Sequence, residues 1–170
     1  MSRIYVLDTG VLVSTWTDRN KDSTFVTTPG IIEEIRNRLS RFRAETLFLL
    51  DKMDERTPND EDIRRVESAA KLSGDKSELS QNDVELIALA LTVSSEGLDT
   101  ILVSTDFAVL NTASHLKLKI IDPNKKFGKE ITWVMKCPAC NFKSKKPTRE
   151  IECPICGTKM RRTSLKKRNI

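Results

Sequence analysis

The sequence has one histidine, no cysteine before position 137 and no long apolar run. The missing cysteines exclude a disulfide framework spread over the whole chain. The single histidine, His115, has no partner motif, so it offers no Ser–His or Cys–His nucleophile, and we expect a surface or core role for it. The longest nearly unbroken apolar stretch covers residues 87–93, whereas a membrane-spanning helix needs about 20 apolar residues.

Two further signals are missing from the sequence. The first ten residues contain Asp8 and no apolar segment typical of a signal peptide, so we expect a cytoplasmic protein. No GxxxxGKS or GxxxxGKT motif occurs, which excludes a phosphate-binding loop of that type.

The charges are divided unevenly along the 170 residues. Lys and Arg number 29 against 24 Asp and Glu, a net charge of +5. Residues 1–123 hold 15 basic and 21 acidic side chains, net −6, whereas residues 124–170 hold 14 basic and 3 acidic ones, net +11. A division this sharp predicts two parts with different roles.

All four cysteines lie in the basic part, as Cys137-Pro-Ala-Cys140 and Cys153-Pro-Ile-Cys156. Two residues between paired cysteines let one tight turn direct both thiolates at a single ion, and four thiolates suit a structural zinc ion. The sequence therefore predicts a zinc ribbon, with iron–sulfur or redox use as the alternative. A module this small has little apolar core, so we expect zinc to supply much of its folding energy.

Basic residues surround the cysteine pairs. Lysines and arginines with aromatic neighbours on a small zinc platform suit a nucleic-acid backbone. The candidates for nucleic-acid contact are Lys143, Lys145, Lys146, Arg149, Lys159, Arg161 and Arg162. Trp133 and Phe142 either stack on bases or form the small core of the ribbon.

The acidic part predicts an α/β fold. Short apolar runs at 4–7, 25–28, 100–103 and 119–121 have the length of buried strands, and helical patterns lie between them. Alternation of this kind favours a parallel central sheet flanked by helices. We predict a domain over 1–122, a linker over 123–132, the zinc ribbon over 133–165 and a basic tail over 166–170.

One helix is predicted to start at Ile31, followed by another over 44–53. The expected apolar face of the helix that starts at Ile31 consists of Ile31, Ile32, Ile35, Leu39 and Phe42, at about 100° per residue. On this helix Glu34 lies at the flank of the apolar face and Glu33 lies in solvent. Glu34 is therefore the better candidate to point into a cleft, although Glu33 competes for the same place.

Four carboxylates fall at predicted strand ends or helix starts: Asp8, Glu34, Asp83 and Asp106. Each has a local explanation, because an acid at these places can cap a helix or complement its dipole. Ser80 and Asp83, for example, have the spacing of a capping box. Four acids converging without a Lys or Arg would repel one another, and a divalent cation removes that cost. Ligand sets made only of oxygen suit one or two Mg²⁺ or Mn²⁺ ions.

The segments around these acids resemble the acidic tetrad of PIN-domain ribonucleases. They are Asp8 in Val-Leu-Asp-Thr, Glu34 in Ile-Ile-Glu-Glu-Ile-Arg, Asp83 in Leu-Ser-Gln-Asn-Asp and Asp106 in Ser-Thr-Asp-Phe. With a zinc ribbon added, the chain resembles the archaeal form of the Nin-one-binding protein family. Members of that family are endonucleases that mature the 3′ end of small-subunit ribosomal RNA.

The resemblance implies a PIN-like sheet, Mn²⁺ or Mg²⁺ at the acids, single-stranded RNA as substrate and pre-ribosomal small subunits as partners. By this match Asp8, Glu34, Asp83 and Asp106 are metal-binding catalytic acids, and Ser104 is a polar neighbour. We expect a metal-dependent endoribonuclease acting on pre-rRNA. The alternatives are an RNA-binding assembly factor with an inactive acidic site and a toxin-type PIN ribonuclease.

Overall fold

The computed structural model describes residues 3–20, 22–144 and 152–170. The strands of its larger sheet are β1 Arg3–Leu7, β2 Thr24–Thr27, β3 Met53–Glu55, β4 Asp99–Val103 and β5 Lys119–Ile121. They pair in parallel in the order β3-β2-β1-β4-β5. This sheet confirms the predicted α/β class.

Helices connect the strands of this sheet. They are α1 Thr9–Leu12, a 3-10 helix Thr17–Asn20, α2 Pro29–Glu33, α3 Arg38–Leu49, α4 Asp60–Ser73, α5 Gln81–Ser95 and α6 Phe107–His115. The central strands β1 and β4 are apolar on both faces, as expected for a parallel sheet covered by helices. In the described part of the chain, none of these helices is long and apolar enough to cross a membrane.

The predicted helix from Ile31 through Phe42 is wrong. The chain instead forms α2 and α3, separated by residues 34–37. Asn37 begins α3 as its N-cap, because its side chain accepts hydrogen bonds from the amides of Leu39 (2.9 Å) and Ser40 (3.3 Å). The break changes the orientation of the later apolar residues, so that Leu39 and Phe42 remain 72% and 67% exposed.

The second helix predicted over 44–53 also differs from the structure. Ala44 through Leu49 complete α3, whereas Met53 begins the short strand β3. One local signal is confirmed, because Ser80 and Asp83 form a capping box at the start of α5. Gly74 ends α4 in the left-handed region at φ 82°.

The cysteine-containing part forms a second sheet. Its strands are β6 Lys129–Lys136, β7 Lys143–Ser144 and β8 Arg161–Asn169, which are antiparallel in the order β7-β6-β8. Strand β6 begins within the predicted linker, and β8 includes most of the predicted basic tail. The division into domains stays a prediction, but residues 166–169 belong to a paired strand.

A buried amide joins the two sheets. Asn111, on α6, is fully buried. Its Oδ1 accepts a hydrogen bond from the amide of Ile131 (2.7 Å), and its Nδ2 donates to the carbonyl of Ile131 (2.8 Å). The same Nδ2 donates to Asp75 (2.6 Å). The side chain of Asn111 therefore pairs with the edge of β6 as a neighbouring strand would.

An ion pair reinforces the same junction. Arg162, on β8, donates to Asp75 (2.5 Å) and to the carbonyl of Gly74 (3.0 Å), and its guanidinium lies 4.4 Å from the ring centroid of Trp133. Gly74 is in close contact with the backbone of Trp133, since an added Cβ would lie 2.8 Å from the carbonyl oxygen and 2.9 Å from the Cβ of Trp133. Burial raises the pKa of Asp75, although Ser73, Asn111 and Arg162 all oppose that shift.

The histidine of the chain contributes to this junction. Nε2 of His115 lies 3.1 Å from the carbonyl oxygen of Ile131, and its Nδ1 lies 3.8 Å from a carboxylate oxygen of Glu130. Glu130 also accepts hydrogen bonds from Ser114 (2.8 Å) and Arg168 (2.9 Å). These contacts agree with the structural role predicted for His115.

Candidate functional site

The acids at the carboxyl ends of β1 and β4 lie at the switch point of the parallel sheet. The chain runs from β1 to β2 and β3 on one side, and it returns as β4 on the other side of β1. Ligand-binding crevices form at such switch points, outside the carboxyl ends of the strands. Asp8 directly follows β1, and Asp106 comes three residues after β4 ends.

Ser104 connects these two acids. Its hydroxyl donates to Oδ2 of Asp8 (2.5 Å), and the amide of Asp106 donates to the same hydroxyl oxygen (3.0 Å). Ser104 and Asp8 are buried, and Leu7 and Val103, just before them, are paired in the sheet. The geometry therefore places Ser104 as the polar neighbour of Asp8 that the resemblance implies.

Asp83 and Asp106 also cap helices, as their sequence contexts predict. Oδ2 of Asp83 accepts hydrogen bonds from the amide and the hydroxyl of Ser80, both at 2.8 Å. Oδ1 of Asp106 accepts from the amides of Ala108 (2.6 Å) and Val109 (3.2 Å) at the start of α6. These contacts use one oxygen of each carboxylate, so capping and cation binding are compatible at both residues.

Glu34 is held by two residues that the sequence did not single out. One of its carboxylate oxygens accepts a hydrogen bond from Thr9 (2.8 Å), and the other accepts from Asn82 (2.7 Å). Thr9 follows Asp8 and Asn82 precedes Asp83 in the chain, so Glu34 is linked to the neighbours of both acids. Glu34 terminates α2, whereas the sequence placed it within a longer helix.

An open pocket of about 500 Å³ lies beside this carboxylate. Thr9, Gly30, Glu33, Glu34, Arg36 and Asn82 line it. Gly30 permits the close approach of α5, because an added Cβ would collide with the side chain of Asn82. The Pro29-Gly30 pair signalled a turn in the sequence, but no pattern indicated that Asn82 faces it.

The four carboxylates influence one another electrostatically. Burial raises the pKa of Asp8; the hydrogen bond from Ser104 opposes this shift, and the charges of Asp83 and Asp106 add to it. The pKa of Asp83 is also raised by burial, and the charges of Asp106 and Glu34 add to the shift. In the described residues, no ion pair within 4.0 Å involves these four acids. Uncompensated negative charge therefore gathers at this edge.

The donor set fits a hard divalent cation. Every candidate side-chain ligand is a carboxylate, and Mg²⁺ prefers oxygen ligands. The acids do not form a closed cage. Within the described ranges, the cysteines are the one group in which three or more His, Cys, Asp or Glu ligand atoms all lie within 4.8 Å of one another. An open arrangement suits Mg²⁺, which retains several of its water molecules in proteins.

The four cysteines form a compact group that could hold a metal ion. Their sulfurs lie within 4.8 Å of one another, with Cys137 and Cys156 3.5 Å apart and Cys140 and Cys153 3.4 Å apart. Tetrahedral coordination with bonds of about 2.3 Å places sulfurs about 3.8 Å apart. The cluster therefore has the size of a four-thiolate metal site.

The thiols of this group do not ionise alike in the absence of an ion. Hydrogen bonds from the side chain and amide of Thr158 lower the pKa of Cys156 to about 6. At Cys140 the amide of Phe142 lowers the pKa, but contacts with the other cysteines outweigh it and raise the pKa to about 12. A cation that binds all four sulfurs would favour four thiolates.

The structure separates the basic and aromatic candidates of the ribbon. Lys143, Lys159 and Arg161 are exposed, whereas Lys145, Lys146 and Arg149 lie outside the described residues. Arg162 was also predicted to contact RNA. Its contacts with Asp75, Gly74 and Trp133 instead give it a structural role, and they cover one face of Trp133. Phe142 packs on the small core around the cysteines.

Comparisons with known proteins agree with this geometry. The family model described as the PIN domain of ribonuclease matches residues 5–93, a range that includes three of the four acids. The chain is 33% identical over 153 residues to endoribonuclease Nob1 of Pyrococcus abyssi, which covers 90% of this chain and 89% of that protein. It is 30% identical over 166 residues to ribonuclease VapC1 of Thermoplasma acidophilum, over 95% of this chain and 79% of that protein.

The chain therefore belongs to the PIN-domain ribonuclease family. Within the family, its similarity to archaeal Nob1 extends over most of both chains. A eukaryotic relative, the 20S-pre-rRNA D-site endonuclease nob1 of Schizosaccharomyces pombe, is 38% identical over 92 residues, which is 54% of this chain and 23% of that protein. These comparisons confirm the family resemblance found in the sequence.

Replacement of Asp8 by Asn should stabilise the protein at pH 7 without divalent metal. The pKa of Asp8 is raised in the folded state, so its ionisation destabilises the fold as the pH rises above the unfolded value of about 3.9. We expect a gain on the order of 1 kcal/mol at pH 7. The gain should disappear below about pH 4, where Asp8 is protonated in both states. Urea unfolding followed by circular dichroism measures both values.

Asp54→Asn provides a matched control for this comparison, because Asp54 is exposed on β3. Its stability should stay within about 0.5 kcal/mol of the parent protein. A loss of stability in Asp8→Asn at pH 7, or an equal gain at both pH values, would contradict the inference that the ionised carboxylate of Asp8 destabilises the fold.

Proposed function

We propose that this protein is a metal-dependent endoribonuclease that cleaves single-stranded pre-rRNA at the 3′ end of the small-subunit RNA. The observation that carries the cleavage activity is that Ser104 links Asp8 to Asp106 at the switch point of the sheet, and that the charges of Asp106 and Glu34 act on Asp83. The similarity to Nob1 over most of the chain supports the substrate. The setting would be pre-ribosomal particles in the cytoplasm.

In this proposal the four acids bind the divalent cation together, and neighbouring polar residues position them. Asp8 and Asp106 are held in a fixed relation by Ser104, and Glu34 is oriented by Thr9 and Asn82. These residues, with Asp83, would hold one or two Mg²⁺ or Mn²⁺ ions. When bound, such an ion activates water and offsets the charge of an in-line displacement at phosphorus. We expect products with a 5′-phosphate and a 3′-hydroxyl group.

The cysteine group would hold a structural zinc ion. Four thiolates leave no open coordination position, so this site would stabilise the ribbon and take no part in cleavage. The exposed Lys143, Lys159 and Arg161 would contact the RNA backbone. Lys145, Lys146 and Arg149 belong to the same set predicted from the sequence, whereas its seventh member, Arg162, is paired with Asp75.

A ribonuclease with a different RNA substrate is the second candidate. The observation that favours it is the similarity to ribonuclease VapC1, which extends over 95% of this chain. The two candidates share the acidic site and differ in the RNA that is cleaved. Comparison of cleavage rates on a pre-rRNA fragment spanning the 3′ end of the small-subunit RNA and on an unrelated single-stranded RNA separates them.

The double variant Asp8→Asn with Asp83→Asn should lose cleavage of the pre-rRNA fragment in Mn²⁺. Both carboxylates would bind the cation, so we expect the rate to fall by at least about 100-fold. Ser104→Ala should cause a smaller loss of about 10- to 100-fold, because it removes a residue that orients Asp8. Gel analysis of end-labelled RNA measures the rates.

The exposed carboxylate of Asp54 again supplies the control, and Asp54→Asn should cleave at the parent rate. Undiminished cleavage by the double variant would overturn the proposed mechanism. Tight RNA binding by the parent protein with no cleavage under any divalent cation would instead support an assembly factor with an inactive site.

Metal analysis of the purified full-length protein should find one zinc ion per chain. Because the four sulfurs form one group, Cys153→Ser should lose the zinc and lower the stability of the β6-β7-β8 sheet. Inductively coupled plasma mass spectrometry measures the metal content, and circular dichroism measures stability. Asp8→Asn is the control, since it should retain zinc while losing cleavage. Iron in place of zinc, or full zinc retention in Cys153→Ser, would contradict the assignment.

A further inference from the structure

An exposed cationic surface that includes one aromatic ring lies on helix α3 and the segment just before it. We define the α3 patch as Arg36, Arg38, Arg41 and Phe42. The three arginines are exposed, and within the described ranges none has a carboxylate oxygen within 4.0 Å. Phe42 remains 67% exposed, although large apolar side chains are usually covered in a folded domain.

The charge of this segment is unlike that of the part of the chain around it. Residues 36–43 contain four arginines and no acid, whereas residues 1–123 have a net charge of −6. On α3, Ser40 and Ala44 are buried against the rest of the domain. At 100° per residue, Arg38 and Phe42 therefore lie on the opposite, solvent-facing side of the helix, and Arg41 lies beside Arg38 at the flank of the buried face.

The α3 patch begins at the edge of the acidic site. Arg36 lines the same open pocket as Thr9, Glu34 and Asn82. Arg38 follows Glu34 by four residues, so their Cα atoms lie within about 14 Å of each other. Since the screening length at physiological ionic strength is about 8 Å, Arg36 in the pocket itself is the member of the patch best placed to offset the repulsion between an RNA backbone and the acids.

We propose that the α3 patch binds the single-stranded RNA beside the cleavage site, with Arg38 and Arg41 contacting phosphates and Phe42 stacking on a base. This inference rests on the proposed ribonuclease function. Arginines beside an exposed aromatic ring match single-stranded RNA, since its backbone is anionic and every base presents a stacking face. A second copy of the chain fits less well, because a symmetric dimer contact would place this cationic surface against itself.

The first test measures RNA binding by the full-length protein without added Mn²⁺ or Mg²⁺. Fluorescence anisotropy of a labelled oligouridine should show affinity reduced about tenfold in Phe42→Ala. The double variant Arg38→Ala with Arg41→Ala should lower the slope of log affinity against log salt by about 1.4, the value for two lost phosphate contacts on single-stranded nucleic acid. Phe42→Trp should retain the affinity.

A matched control removes the same charge elsewhere. Arg64 and Lys71 are exposed on α4, and the double variant Arg64→Ala with Lys71→Ala should keep both the affinity and the salt slope. Equal weakening in this control would show a general charge effect and would overturn the proposal. Unchanged binding in the α3 variants would also overturn it.

Cleavage kinetics separate this inference from the proposed function. The α3 variants should raise KM with little change in kcat, because the patch contacts RNA away from the reacting phosphate. If Asp8→Asn stops cleavage and the α3 variants behave as the parent protein, the patch assignment fails and the ribonuclease function stands. If Asp8→Asn cleaves normally, the ribonuclease function itself fails. Light scattering that shows a dimer lost in Phe42→Ala, with unchanged RNA binding, would assign the surface to self-association.

Discussion

The carboxylates around buried Asp8 repel one another, and the local structure holds them together despite this repulsion. Burial and the charges of Asp83 and Asp106 raise the pKa of Asp8. The surroundings hold the acids by hydrogen bonds from Ser104, Ser80, Thr9 and Asn82, and no cation among the described side chains pairs with them. Such a group of carboxylates destabilises the fold when the acids are ionised, and it stabilises the fold only when a metal ion is bound.

Where the two sheets meet, a buried carboxylate is compensated by side chains of the protein and not by a metal ion. Asp75 is also buried, but there Arg162 and Asn111 compensate it within the protein. Breaking a buried pair of this kind leaves an uncompensated charge, which is strongly destabilising. Part of the negative excess of residues 1–123 thus lies at the edge that we propose binds the metal. Part of the positive excess of residues 124–170 is used to join β8 to α4.

Four strands of the larger sheet and the Ser80 cap of α5 were predictable because their signals are local, whereas the short strand β3 was placed at the end of a predicted helix. The apolar runs of β1 and β4 and the Ser80–Asp83 capping box depend on residues close together in the chain. The break between α2 and α3 was not predicted, because the apolar spacing continues across the cap formed by Asn37. Strand β8 was missed because it is rich in lysine and arginine and is defined by its pairing with β6.

The candidate site shows the same division between local and long-range information. All four acids were identified from their places at strand ends and helix starts. Thr9 and Asn82 were not, because their partner Glu34 lies 25 and 48 residues away in the chain. Contacts of this range depend on how the elements pack, which no local pattern in the sequence records.

We propose that these carboxylates form one divalent-metal site. Crystals of the protein soaked in Mn²⁺ and measured at the manganese absorption edge would locate the bound ion. We expect an anomalous difference peak between Asp8, Asp83 and Asp106 that is lost in crystals of Asp8→Asn. Manganese bound only elsewhere on the protein, or no peak at this edge of the sheet, would contradict it.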